Sequence, residues 1–282
     1  MDGQLDSTAL ELVFHQPSPD GHFEEPQATY LAEISKLRPV VALTFAPKAA
    51  GTYLRAAVAC AIDGQLVRTV HAQGGRDAQF YLPTLVAYYH GGITSRTMVT
   101  HVHMQALPGN RHLIEALSLK PVIMLRPVPD MLASFLDMLM ADETARLEGL
   151  NCTVPDDFLS MSNEARADYV IDIFAPWYAS YFATWRAFVD DKPDQVLVTH
   201  YREFVNRPGM TLQSILEHSG VPQSRRQCER ALDMAWSDRS SLRYNKGVSG
   251  RGETYFTLEQ RRRIRRILSH YGNISIWLDE LC

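Results

Sequence analysis

The sequence has little cysteine and spaces it widely. Cys60, Cys152, Cys228 and Cys282 form no C-x-x-C pair, which excludes a zinc ribbon and a disulfide-stapled fold and points to a reducing, cytoplasmic setting. No apolar run approaches the ~18 residues that a membrane-spanning helix requires. The opening residues MDGQLDSTAL lack both a basic and an apolar stretch, so no secretory signal is expected. There is no D-x-D and no spaced set of His, Asp and Glu, so no metal is expected. A G-x-x-x-x-G-K-[ST] loop is also missing, which removes the most direct signature of a nucleotide hydrolase or kinase. Nor does one sign of charge dominate. Lys and Arg number 28 against 32 Asp and Glu, a net −4 at pH 7, which gives no pull toward nucleic acid or a membrane surface.

What is present is enough for a globular core. Hydrophobic residues make up 46% and charged residues 21% of the 282, so burial can offset chain entropy. At about 150 residues per domain the length allows one large domain or two small ones, and no shift in composition marks a boundary. We expect an irregular segment over 1–25, with Pro17 and Pro19, followed by a single domain over 26–282. Charge is unevenly placed. The first 35 residues carry seven acids and no Lys or Arg, whereas 239–266 carry nine bases against two acids. That basic stretch can hold an anion, although Arg261 to Arg266 taken alone reads as a solvated helix face.

Short β-rich runs alternate with helical patterns. Pro39 to Phe45 (PVVALTF) has buried-strand character, and a helix is expected over Thr52 to Ile62, ended by Asp63-Gly64. Met98 to His103, Lys120 to Leu125 and Gln195 to Thr199 are further strand candidates. Helices fit Met131 to Leu147, Gly209 to Ser219, Arg225 to Met234 and Leu258 to His270, and 141–168 is polar enough to be a lid. Such alternation predicts an α/β fold with a mostly parallel central sheet flanked by helices. Ligands bind such sheets beyond the carboxyl ends of the strands.

Three segments there can grip anions. In Pro47-Lys48-Ala49-Ala50-Gly51-Thr52-Tyr53 small residues allow close backbone approach at a helix start, Lys48 adds charge and Thr52 a hydroxyl. The plainer reading is an ordinary turn with a surface lysine. In Arg126-Pro127-Val128-Pro129-Asp130-Met131-Leu132-Ala133-Ser134, Arg126 at a strand end and Ser134 on the next helix can clamp a second phosphate. The plainer reading pairs Arg126 with Asp130. Arg243 to Gly252 interleaves glycine with bases, as a strap over an anion or as a basic loop.

Together and in this order the three segments resemble the sulfotransferases that use 3′-phosphoadenosine 5′-phosphosulfate (PAPS). PKAAGTY is similar to the family's 5′-phosphosulfate loop, commonly PKSGTTW, with Lys48 and Thr52 matching. Arg126, Asp130, Leu132 and Ser134 match its 3′-phosphate motif R-N-P-R-D-V-L-V-S. Lys246, Gly247, Gly250, Phe256 and Thr257 match its late RKGxxGDWKNxFT segment, where Asn245 stands in place of an arginine and Arg243 or Arg251 are the nearby bases. Thr100-His101-Val102 is similar to the family's KTHLP strand end, and Tyr201-Arg202-Glu203-Phe204 to its YEDL motif.

The resemblance implies a P-loop-like, three-layer sulfotransferase-type sandwich. It implies PAPS as co-substrate without a metal, and in-line sulfuryl transfer to the hydroxyl of a small alcohol or phenol. Lys48 and His101 would be catalytic, His101 as general base with His103, two residues on, as its rival. Lys48, Ala49, Ala50, Gly51, Thr52, Tyr53, Arg126, Ser134, Tyr201, Lys246 and Gly247 would bind the nucleotide. Aromatics between Ile173 and Phe188 read as core packing at helical spacing, while Tyr81, Tyr88, Tyr89 and His90 lie where an acceptor pocket is expected. A P-loop-type kinase and a catalytically inactive nucleotide-binding homologue remain the alternatives. The oligomeric state is not legible.

Overall fold

Five short strands make one sheet in the computed structural model, which describes residues 23–69, 79–147, 154–237 and 250–282. They are β1 (Val40–Leu43), β2 (Gln65–Leu66), β3 (Met98–His101), β4 (Pro121–Leu125) and β5 (Leu197–His200). All pairings are parallel, in the order β2-β3-β1-β4-β5. Every residue of β1 and β4 is buried, as expected for a parallel sheet covered on both faces. Pro121 is tolerated because it opens its strand.

The helices in the first half are α1 (Glu25–Ser35), α2 (Gly51–Ala61), α3 (Leu82–Tyr89), α4 (Pro108–Ala116), α5 (Val128–Ala141) and α6 (Glu143–Leu147). Those in the second half are α7 (Asn163–Asp191), α8 (Tyr201–Asn206), α9 (Pro208–His218), α10 (Arg225–Ser237), α11 (Arg251–Tyr255), α12 (Leu258–Ser269) and α13 (Leu278–Leu281). A 3₁₀ turn, Gly272–Trp277, joins the last two. Among the described residues no helix is long and apolar enough to cross a membrane.

The strand–helix alternation expected from the sequence is present, with differences at the ends. The helix expected over Met131 to Leu147 is two: α5 stops where Asp142 turns extended, at φ −126° and ψ 109°, and α6 begins again behind it. Parts of the polar stretch 141–168 are helical: Glu143–Leu147, and the residues from Asn163 on, where Ser162 caps α7 by accepting the Ala165 N–H at 3.1 Å. Residues 1–22 lie outside the described part, and α1 already begins at Glu25, held by a capping box between Glu24 and Gln27.

The chain runs from β1 out to β2, returns to β3, then crosses to β4 on the other side of β1. The carboxyl end of β1 is therefore the switch point of the sheet, the place at which sheets of this kind bind ligands. Register brings Leu43 beside His101, and Leu125 beside His200. The residues that follow, from Thr44, His101, Arg126 and Tyr201 onward, converge on one edge. The 29-residue α7 lies nearby and buries Phe174, Tyr178, Tyr181, Phe182 and Trp185, each worth roughly 1.5–3 kcal/mol of burial.

Candidate active site

The loop after β1 is held by its carbonyls. The Tyr181 hydroxyl donates to Thr44 O at 2.5 Å, His103 Nδ1 to Phe45 O at 2.8 Å and the Tyr178 hydroxyl to Pro47 O at 3.0 Å. Arg126 Nη1 donates to Lys48 O at 2.5 Å, and Ala46 O accepts from the Ala49 N–H at 3.2 Å. Five consecutive carbonyls, 44 to 48, are thus turned toward protein donors. Lys48 and Ala50 take left-handed backbone, with φ 66° and 64°, a conformation that costs a non-glycine residue about 1–2 kcal/mol. Strain of this kind persists only where surroundings over-determine it. α2 follows with no side-chain cap on its amino end, so its first-turn N–H groups are available to an anion. Ala49 is buried, while Lys48, Ala50 and Thr52 are half-buried. Lys48 Nζ lies 3.7 Å from Met138 Sδ. The Tyr53 ring packs between Phe204 and Trp236, at 5.9 and 5.8 Å, and its hydroxyl donates to Leu232 O.

His101 ends β3 and His103 follows two residues on, with ring centroids 4.8 Å apart and rings nearly perpendicular. His101 presses against Gly51 so closely that a Cβ there would overlap the ring. Its Nε2 is enclosed and has no hydrogen-bond partner. Burial, then the neighbouring His103 and Arg55, hold the His101 pKa well below the ordinary histidine value. Burial also lowers that of His103, helped by Lys48 and Arg55 and opposed by the bond to Phe45. Both rings are therefore neutral near pH 7.

Arg126 stands directly beyond β4 and is buried, at 6% exposure. Its guanidinium lies over the Tyr201 ring, 4.0 Å from the centroid, because Leu125 and His200 are paired across the sheet. Burial is the main influence lowering its pKa, opposed by Tyr201, Asp130 and Tyr178. Its Nε is enclosed with no partner, a costly arrangement for a charged group unless something else accepts from it. Ser134, in the second turn of α5, is buried. Tyr201 is 4% exposed and opens α8. One face of its ring is therefore spent on Arg126.

Asp130 does not make the ion pair with Arg126 that the plainer reading supposed. Its carboxylate accepts the N–H of Gly250 at 2.8 Å and of Gly252 at 2.7 Å. Gly252 lies so near Pro129 that a Cβ would collide with it. Arg251 pairs with Asp137 and also donates to Tyr255. The downstream end of the glycine-rich strap is thus pinned to the start of α5. Lys246, Gly247, Arg243 and Asn245 lie outside the described residues.

Tyr178 and Tyr181 were legible only as buried aromatics, and their hydroxyls are what brace the loop. Near the expected acceptor region, Tyr88 is a structural joint. Its hydroxyl donates to Pro39 O at 2.7 Å and accepts from Met98 N at 3.0 Å. Tyr89 is buried and His90 shares a 2.7 Å hydrogen bond with the Tyr30 hydroxyl. Of the four, Tyr81 and His90 are exposed. No group of three or more His, Cys, Asp or Glu able to hold a metal occurs among the described residues.

No family model matches the sequence, and no curated protein does. Solved structures do. Mouse sulfotransferase SULT7A1 complexed with PAP, the desulfated product of PAPS, superposes with a TM-score of 0.61 at 13% identity, covering 94% of each chain. Retinol dehydratase in a complex with retinol and PAP gives 0.50 at 12% identity, covering 89% of this chain and 86% of that one. With its parallel sheet and its flanking helices, the chain has the sulfotransferase fold.

Proposed function

We propose that the chain transfers a sulfuryl group from PAPS to the hydroxyl of a small-molecule acceptor. The observation that carries this reading is the bond from Arg126 to Lys48 O. It brings the two segments we read as anion cradles, the loop after β1 and the start of α5, side by side at one edge of the sheet. The chemistry of the site suits an anionic ligand: a half-satisfied buried guanidinium, an uncapped helix start and loop carbonyls all turned away. The neighbouring structures were solved with PAP, and the retinol beside it in one of them is a small apolar alcohol of the kind expected as acceptor.

PAPS, when bound, would supply the sulfuryl group and a 5′-phosphate monoester as leaving group. Lys48 and the first-turn N–H groups at Gly51 and Thr52 hold the 5′ end. Fixed donors of this kind contribute about 3–4 kcal/mol each where charge develops. Arg126 and Ser134, with Lys246 and Gly247 of the strap, hold the 3′-phosphate and fix position rather than react. Tyr201 orients Arg126 and offers its remaining surface to the purine, with Tyr53 at the amino end of α2. A strand-end histidine, neutral at physiological pH, takes the acceptor proton. Sulfate carries less charge than phosphate, so these donors suffice in place of a metal.

Thermal unfolding checks the ligand. PAP should raise the melting temperature more than ATP with magnesium does. The reverse order would favour the kinase reading. Labelled sulfate from PAPS, offered to a panel of phenols, sterols, sugars and hydroxylated chains, should appear in at least one product. PAP binding without any transfer would identify an inactive homologue.

A further inference from the structure

We propose that Tyr181 and Thr184 of α7 are positioning residues that fix the spacing between Lys48 and the histidines at the carboxyl end of β3; the proposal deepens the sulfuryl-transfer reading and rests on it. Transfer needs the lysine and a proton acceptor at one set distance, and the two stand on separate loops. One loop follows β1 and carries Lys48. The other follows β3 and runs from His103 to the start of α4.

α7 grips both. On the first loop the Tyr181 hydroxyl donates to Thr44 O and the Tyr178 hydroxyl to Pro47 O. On the second, Trp185 Nε1 donates to Met104 O at 2.9 Å and the Ser180 hydroxyl to Gln105 Oε1 at 2.6 Å, while the Thr184 hydroxyl accepts the Ala106 N–H at 3.2 Å. These side chains lie within residues 178–185, about two turns of one helix. A short rigid rod therefore holds both loops.

The polar atoms of the rod are set for this task. The Thr184 hydroxyl donates to Tyr181 O at 3.0 Å, which leaves its lone pairs for Ala106. Arg111 of α4 closes the joint, donating to Ala106 O at 2.7 Å and to Thr184 O at 2.8 Å. Tyr181 and Trp185 are fully buried, and the Tyr181 ring stacks on Trp177 with centroids 5.3 Å apart. Burial pushes the Tyr181 pKa well above the ordinary tyrosine value, so its hydroxyl stays a donor. Core packing alone would be served by apolar side chains here. A polar group is costly to bury unless it is paired, and these are paired with the two site loops.

Tyr181→Phe and Thr184→Val each remove one polar contact and nearly keep the volume. Turnover should fall roughly 10–10²-fold, the scale of a misplacement on the order of 1 Å, while PAP affinity and the acceptor KM barely change. Gln195→Met is the comparison. It deletes bonds to Ile114 O and Leu119 O just before β5, and should lower the melting temperature with turnover retained. In the ligand-free protein, hydrogen exchange should cross between the loops. Thr184→Val should speed exchange of the Ala49 N–H, which is bonded to Ala46 O, and Tyr181→Phe that of the Ala106 N–H. Should Tyr181→Phe fail to fold, Thr184→Val and Ser180→Ala, at half-buried side chains, carry the same readouts. Exchange that changes only in the loop each variant touches overturns the spacing role. So do variants that lose melting temperature as Gln195→Met does and keep their turnover. A wild-type protein that binds PAP and transfers no sulfuryl group overturns the parent reading, and the positioning role with it.

Discussion

The two segments that we propose as anion cradles are built on opposite principles. The loop after β1 is held by side chains that donate to its carbonyls: Tyr181, His103, Tyr178 and Arg126. The start of α5 uses a carboxylate to collect backbone N–H groups, those of Gly250 and Gly252. In the first cradle the carbonyls are taken up and the amides at the helix start are left over, which suits an anion. In the second, the amides are consumed and a glycine-rich segment is moored beside Arg126. The first is a cup braced from outside, and the second moors Gly250 and Gly252 to the start of α5. A substitution should therefore strike chemistry in the first and stability or ligand grip in the second.

The largest effect is expected at Lys48. Lys48→Ala removes the mobile charge but leaves a non-glycine residue with the same positive φ, and the carbonyl bonds of the loop do not involve its side chain. The turnover should drop by about 10²–10³-fold, the measured range for a lost oxyanion donor, while PAP still stabilises the fold. Single-turnover kinetics separate the two. Undiminished turnover would remove Lys48 from the reaction and make the cup a binding feature only.

Asp130→Ala should behave differently. It leaves two N–H groups without their acceptor, at a cost of about 1–3 kcal/mol for each donor that stays dry. The melting temperature should fall and PAP should bind more weakly, whereas turnover at saturating donor should change little. If instead turnover collapses with the melting temperature intact, the second cradle is part of the chemistry and the contrast drawn above fails.

The parts of this design that were legible in the sequence are the local ones. Short β-rich runs marked β1, β3, β4 and β5 because parallel strands are apolar on both faces. The turn residues of PKAAG and the segment from Arg126 to Ser134 marked the carboxyl ends of β1 and β4. What was hidden lies in pairings across long sequence separations. Tyr178 and Tyr181 meet the loop from 131 and 137 residues away, and helical periodicity can show that an aromatic is buried but not where its hydroxyl points. Asp130, four residues from Arg126, invited a local ion pair. Its partners lie 120 and 122 residues downstream. β2, only two residues long and exposed, carries no pattern at all.

The smallest expected effect tests whether the cup is truly held against its own preference. Ala50 sits at φ 64°, where a Cβ costs about 1–2 kcal/mol. Ala50→Gly relieves that strain but frees the unfolded chain, which costs about 0.4–1 kcal/mol. The two nearly cancel, with the balance on the stabilising side. Ala49→Gly has no strain to relieve, since its φ is not among the positive ones, and it deletes a fully buried methyl. It loses roughly 0.8 kcal/mol of burial in addition to the entropy. Neighbouring, chemically identical substitutions should therefore move the melting temperature in opposite directions. Equal destabilisation by both would mean that the left-handed backbone at residue 50 costs nothing, and that the five carbonyl bonds restrain a loop that would take this shape unaided.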